Sequence, residues 1–225
     1  MSPPRPTSAL GNEIPNAEIP DIPDAGPNAD VPDAGIPDAG IVAEQDLRAM
    51  LRRGPGICLL TGGQTGVDTA AARSALGVNL PVHLVFPRGL RQEDGPITPA
   101  RRDALRGAVL HELASDDFRY RTRTCVSLSD AVILIDPAGG AGCRETERAA
   151  RGLSRPLLIL AGPATSAPAR PDEVAAWIER TRARVLMVAG CRGSLLAAAG
   201  CERLAADQAA VVIAAARRRH DQLTS

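Results

Sequence analysis

From residue 41 onward two textures alternate along the chain, and this alternation restricts the fold more than any other feature of the sequence. Continuous apolar runs at 57–61, 82–86, 131–135, 156–160 and 185–189 are bounded by Gly and Pro. Between them lie stretches of helical period at 43–53, 67–76, 101–113, 145–151, 171–182 and 202–219. Apolar runs without an exposed polar face suit strands covered on both sides, so the pattern predicts an α/β domain with a parallel sheet between helical layers. Pro171 and Asp172 supply N-terminal chemistry for the fifth helix.

The 225 residues suffice for one such domain with a tail and not for two full domains. Residues 1–40 are the expected tail. They hold nine of the 19 prolines in repeats such as Val-Pro-Asp-Ala-Gly (31–35) and Ile-Pro-Asp-Ala-Gly (36–40). Frequent Pro removes backbone donors, and too little apolar surface remains to offset ordering entropy, so disorder is predicted there. The tail carries seven acids against Arg5, while residues 41–225 carry 25 Arg, no Lys and 19 acids. A tail at −6 facing a domain at +6 can fold back and screen that domain from polyanions.

Two Phe, one Tyr and one Trp imply an aliphatic core and leave no stacking platform for single-stranded nucleic acid, so no nucleic-acid partner is expected. Five cysteines, an odd number without a C-x-x-C pair or a preceding apolar leader, read as reduced thiols in a cytoplasm. No run approaches the ~20 apolar residues of a membrane helix. His83, His111 and His220 have no ligand spacing, and no paired metal ligands are visible, so no protein-held metal is expected.

The sharpest local feature is Thr61-Gly62-Gly63-Gln64-Thr65-Gly66-Val67-Asp68, set between a strand and an Ala-rich helix. Its glycines permit a tight turn and close approach of a ligand to main-chain N–H groups, a phosphate site when joined to a helix N-terminus. It is neither G-x-G-x-x-G nor G-x-x-x-x-G-K-[ST], which speaks against a dinucleotide fingerprint or a triphosphate loop. A purely local alternative has Thr65 capping the helix and Asp68 completing a capping box. Asp68 would repel a nearby phosphate and suits a hydroxyl or base edge instead. A second cluster, Asp136-Pro137-Ala138-Gly139-Gly140-Ala141-Gly142-Cys143-Arg144-Glu145-Thr146, also links a strand to a helix. Two such loops at carboxyl ends of parallel strands are expected to meet over one crevice. Between them, Arg88 and Arg121 offer guanidinium forks for an anion, Asp94-Gly95-Pro96 reads as a turn, and Glu93, Asp94 and Gly95 join the ligand-binding candidates.

These motifs, in this order, resemble the Lonely-Guy-like (SLOG) nucleotide-binding superfamily, in its circularly permuted YpsA-like branch, whose members bear the label of molybdenum carriers. The resemblance spans about residues 57–216 and rests on Gly62 to Asp68, Pro87-Arg88-Gly89, Glu93-Asp94-Gly95, Phe118 with Arg121-Thr122, Ser129-Asp130, Gly142 to Thr146 and Val188-Ala189-Gly190. It implies a Rossmann-like sheet, a nucleotide-like or molybdenum-cofactor ligand, and a homo-oligomer. It adds Thr122, Asp130, Gly142, Cys143, Thr146 and Gly190 to the ligand-binding candidates, beside Gly62, Gly63, Gln64, Thr65, Gly66, Gly139 and Gly140. Three positions depart from the family pattern: Cys125 stands for Asn, Cys143 for Thr and Cys191 for Pro. The stretch 98–109 is also longer than the family norm.

Unpermuted relatives include phosphoribohydrolases whose catalytic Glu aligns here with Thr146. A hydroxyl cannot replace a carboxylate in stabilising oxocarbenium charge or activating water. Glu145 and Glu147 flank the position but are turned about 100° along the helix. The expectation is therefore a carrier or sensor of a phosphate-bearing small molecule. The phosphate is expected on the amides of Gly62 to Gly66 and Gly139 to Gly142, with Arg121 balancing charge and Asp68 or Asp94 holding hydroxyls. The rival readings are a nucleoside-monophosphate N-glycosidase using Glu145 or Asp68, and a structural remnant with a degenerate pocket.

Overall fold

The computed structural model describes residues 42–161 and 169–225. The predicted tail, residues 1–40, lies outside the described residues. The elements follow in the order α1 (Glu44–Leu51), β1 (Cys58–Thr61), α2 (Val67–Gly77), β2 (Val82–Phe86), β3 (Arg91–Gln92), β4 (Gly95–Pro96), α3 (Pro99–Asp103), β5 (Val109–Glu112), α4 (Phe118–Leu128), β6 (Ala131–Ile135), α5 (Ala141–Gly152), β7 (Leu157–Leu160), α6 (Pro171–Thr181), β8 (Val185–Gly190), α7 (Gly193–Ala199) and α8 (Glu202–Thr224). Six strands form one parallel sheet in the order β5-β2-β1-β8-β6-β7, and β3 and β4 form a small antiparallel hairpin.

The five apolar runs all become strands of this sheet. Every residue of β1 and β6 is buried, as are Val185 to Ala189 of β8, because helices cover both faces. Helices α2, α6 and α8 pack together on one face, and α1, α4 and α5 on the other. This is a layered Rossmann-like arrangement in which the chain runs outward from β1 through β2 to β5, crosses to β6 and β7, and returns to place β8 between β1 and β6. The core is aliphatic apart from Phe86, the one ring among its largest fully buried side chains. Among the described residues, no helix is long and apolar enough to cross a membrane.

The helix expected over 101–113 is corrected. Only Pro99–Asp103 is α-helical, and the chain turns at Gly107, whose φ of +98° lies in a region open to glycine and strained for other residues. Val109–Glu112 then pairs with β2 as an edge strand. Leu105, Ala108 and Leu113 have the spacing of a helical stripe, but the open hydrogen-bonding edge of β2 decides the outcome. Helix α4 was not expected, since its FRYRTRTCVSL sequence is rich in Thr and Arg and its apolar stripe is weak. Asp117 starts it, with its carboxylate accepting the Arg119 N–H at 2.8 Å.

Candidate functional site

All six parallel strands run in one direction, so the loops after β1, β6 and β8 emerge on the same edge of the sheet. Strand β8 lies between β1 and β6. At ~4.8 Å per strand spacing, the two glycine loops start almost 10 Å apart. The Cys191–Leu195 segment fills that gap. Gly66 packs on the Cys191 carbonyl and on the Gly193 nitrogen, the latter 2.7 Å from where a Cβ would stand. On the other side, Gly140 packs on Leu195 and on the sulfurs of Cys143 and Cys191.

The first loop owes its shape to buried partners. Gly63, at φ +69°, passes within 2.5 Å of Phe86 measured from an ideal Cβ, a space only glycine fits. Its carbonyl accepts the Gln92 side-chain amide at 2.7 Å. Gly62 lies directly over the Arg121 guanidinium. Arg121 is buried and paired with Asp68, Nη1 to Oδ2 at 3.6 Å. Asp68 also accepts the Gln64 N–H at 3.1 Å. Burial pushes the Asp68 carboxyl up, against the opposing pull of Arg121 and the Gln64 amide. Both side chains thus act beneath the loop rather than as a clamp and a hydroxyl holder on its open side. Thr65 does not cap α2 either: Gly66 is the N-cap, without a side-chain hydrogen bond.

The Thr65 hydroxyl instead donates to Glu93 and accepts the Gly193 N–H at 3.0 Å. Glu93 collects further donors: the Ser194 N–H at 3.0 Å, the Ser194 hydroxyl, and Arg192 at 3.2 Å. Burial raises the Glu93 carboxyl, but the bonds from Ser194 and Thr65 and the Arg192 charge prevail and hold it below its ordinary value. The Glu93 N–H donates to Gln64 Oε1 at 2.9 Å, locking the β3–β4 hairpin onto the loop. Asp94 pairs bidentately with Arg101 at 2.8 and 2.7 Å, and that bond lowers its carboxyl. Gly95 turns the hairpin at φ +123°.

These groups surround an open cavity of about 480 Å³ lined by Thr65, Glu93, Asp94, Arg101, Arg192, Gly193 and Ser194. Sequence reasoning found Thr65, Glu93 and Asp94. It missed Arg101, Arg192, Gly193 and Ser194, although the last three follow the carboxyl end of β8, where ligand loops are to be sought.

The second glycine loop contributes nothing to that lining, which corrects the expectation of one shared crevice. Its Gly139 and Gly140 N–H groups both donate to Asp136 Oδ1, at 2.9 and 3.2 Å. The carboxylate therefore stands where a phosphate oxygen was expected. Asp136 Oδ1 also accepts from Cys191 Sγ at 2.9 Å, and Cys191 lies 3.6 Å from Cys143 Sγ. The hydrogen bond to Cys191, with burial next, holds the Cys143 thiol far above its ordinary value. Sequence spacing hid this triad because its members come from three separate segments.

The remaining candidates are dispersed. Asp130 precedes β6 and is therefore at the amino end of the sheet, where it accepts the Arg184 and Val185 N–H groups at 2.9 Å each. Arg88 is exposed in the loop after β2, its N–H on the Ser115 carbonyl. The Thr122 and Thr146 hydroxyls bond back to the carbonyls of Phe118 and Gly142 in their own helices. Gly190 sits against Val67, within 2.6 Å of an ideal Cβ, and so is a packing glycine. Gly142 has open space. Glu145 is buried between Arg123 and Arg148, at 2.8 and 2.6 Å, which lowers its carboxyl. A carboxylate held this way is a poor acid or base.

Comparison with known proteins agrees with the layout. The model of a family described as "Circularly permutated YpsA SLOG family" matches residues 59–216. The crystal structure of a "Putative molybdenum carrier protein" from Syntrophus aciditrophicus SB resembles the chain with a TM-score of 0.57 at 24% identity, covering 73% of this chain and 98% of that one. At that identity the likeness is one of fold. No protein of curated function matches.

Proposed function

The chain belongs to the circularly permutated YpsA SLOG family, and from that premise we propose that it is a binding protein for a phosphate-bearing, nucleotide-like small molecule. The cavity beside the first glycine loop is the site. One observation carries the reading: Arg101 and Arg192, two exposed or half-exposed guanidiniums, face one 480 Å³ hollow at the carboxyl edge of the sheet. That volume suits a mononucleotide-sized ligand. The phosphate exchanges with Asp94 and Glu93 for the two guanidiniums, and the carboxylates so released accept ligand hydroxyls. The neighbour's name points to molybdenum. A molybdenum-bearing pterin phosphate would be held in this chain by the same arginines, through its phosphate. The buried, doubly paired Glu145 and the hydroxyl at Thr146 supply no free carboxylate for glycosidic cleavage.

A panel of nucleoside monophosphates tests the proposal by thermal shift, with released base assayed chromatographically. A ligand at a hundred times its Kd stabilises the protein by about 2.7 kcal/mol, and Arg192→Gln is expected to weaken binding by about tenfold or more. Base release at a steady rate establishes the hydrolase instead. No shift with any member of the panel overturns the proposal.

A further inference from the structure

Strands β6 and β8 are neighbours in register, with Ile135 opposite Gly190. Their next residues, Asp136 and Cys191, therefore emerge side by side at the carboxyl edge. Cys143 reaches the same point from the first turn of α5. All three side chains are buried, and one donor atom of each lies within 4.8 Å of the others. Cys143 and Cys191 stand 48 residues apart in the chain, and the fold brings them into contact.

We propose that Asp136, Cys143 and Cys191 form a binding site for a thiophilic divalent cation, Zn(II) by preference. The sulfurs stand 3.6 Å apart. Two thiolates bound at ~2.3 Å to a tetrahedral ion stand about 3.8 Å apart, so the pair is already spaced for coordination. A disulfide needs its sulfurs at ~2.05 Å, a closure of about 1.5 Å. Asp136 Oδ1 and Cys191 Sγ, now 2.9 Å apart, separate to about 3.5 Å around the same ion, within reach of a side-chain rotation. The Gly139 and Gly140 amides orient the carboxylate, the outer-shell support that metal carboxylates ordinarily have.

The donor set selects the ion. Two thiolates favour soft or borderline metals and disfavour Mg(II) and Ca(II), and the carboxylate favours Zn(II) over Cu(I). The cation also neutralises a cluster that would otherwise bury up to three negative charges, and its binding to the cysteines releases their thiol protons. Three protein ligands leave a fourth position for water or an external ligand. Cys58 and Cys125, whose thiols burial pushes up to about 12, have no place in this cluster. The site is separate from the cavity proposed above and does not depend on it.

The test uses the full chain, reduced and freed of metal with a chelator, then titrated with Co(II) and back-titrated with Zn(II). Expected are one Co(II) per chain with thiolate-to-cobalt charge-transfer absorption, its displacement by Zn(II), and a rise in melting temperature with Zn(II). Cys143→Ser and Cys191→Ser should each weaken binding at least about a hundredfold, and Asp136→Asn about tenfold. Cys125→Ser and Cys201→Ser should keep the full signal. The wild-type titration stands whether or not a variant folds. Absence of the charge-transfer absorption in the wild type overturns the proposal. So does its persistence in both Cys143→Ser and Cys191→Ser, or a Cys143–Cys191 disulfide forming in the presence of stoichiometric Zn(II).

Discussion

The two glycine loops look alike in sequence, each a run of small residues between an apolar strand and a helix, yet the folded chain uses them differently. The first is held from below by Asp68, Arg121 and Phe86 and turns Thr65 outward to Glu93 and a cavity. The second is closed by its own Asp136, which takes the Gly139 and Gly140 amides, and it faces two cysteines. Glycine shows that a backbone bends tightly. Whether its amides are open to a ligand depends on the nearest carboxylate.

Perturbing the support of the first loop should give the largest effect. Arg121→Met leaves Asp68 buried without its cation, and breaking such a pair from one side costs about 3–5 kcal/mol. Urea unfolding should show the loss, and the double variant Arg121→Met with Asp68→Asn should regain part of it. Little loss on Arg121→Met alone would break the claim that this pair carries the loop.

Alanine substitutions sharpen the comparison at an intermediate scale. Gly66 has φ +81° and meets the Cys191–Gly193 backbone, so Gly66→Ala should destabilise by about 2–4 kcal/mol. Gly142 in α5 meets nothing within 4 Å, and Gly142→Ala should be neutral or stabilising by up to about 1 kcal/mol. Equal costs at the two positions would mean that the loops are equally constrained.

A third group of tests varies pH. Glu93, held below its ordinary value, contributes stability that is fully present above about pH 4.5, the unfolded value, and is lost as pH falls through the folded one. Thermal unfolding of Glu93→Gln should lack this acid-side loss. A separate window belongs to His83 and His111, stacked on β2 and β5 with ring nitrogens 2.9 Å apart. Burial lowers both to about 4 from 6.5. The unfolded chain therefore binds more protons between those values, and stability falls as pH drops through 6.5 toward 4. His83→Gln should reduce the loss over that segment, leaving the part that belongs to His111, and keep the Glu93 segment intact.

The sheet was largely legible because its central strands are apolar on both faces and carry their own signal. Strand β5 was not, since 105–113 has a helical stripe and only the vacant edge of β2 turns Val109–Glu112 into a strand. Helix α4 was hidden by polar residues whose burial, as at Thr122 and Thr124, arises only from packing. In the site, Thr65, Glu93 and Asp94 were found from motif order. Arg101 was missed because its local sequence does not set it apart from the other arginines of residues 41–225, and Asp136, though it opens the second glycine cluster, was not read as the group that takes that loop's amides.

Local sequence determined where the backbone bends and which runs are buried, since Gly, Pro and apolar side chains act on their own neighbourhood. It thereby determined an α/β layering and two tight loops on strand ends. The tertiary structure alone decided that β8 enters between β1 and β6, because strand order depends on edges far apart in the chain. That insertion separates the loops by two strand spacings and brings Arg192 to one cavity and Cys191 to Asp136 and Cys143, so that the two loops the sequence presented as one crevice have different neighbours.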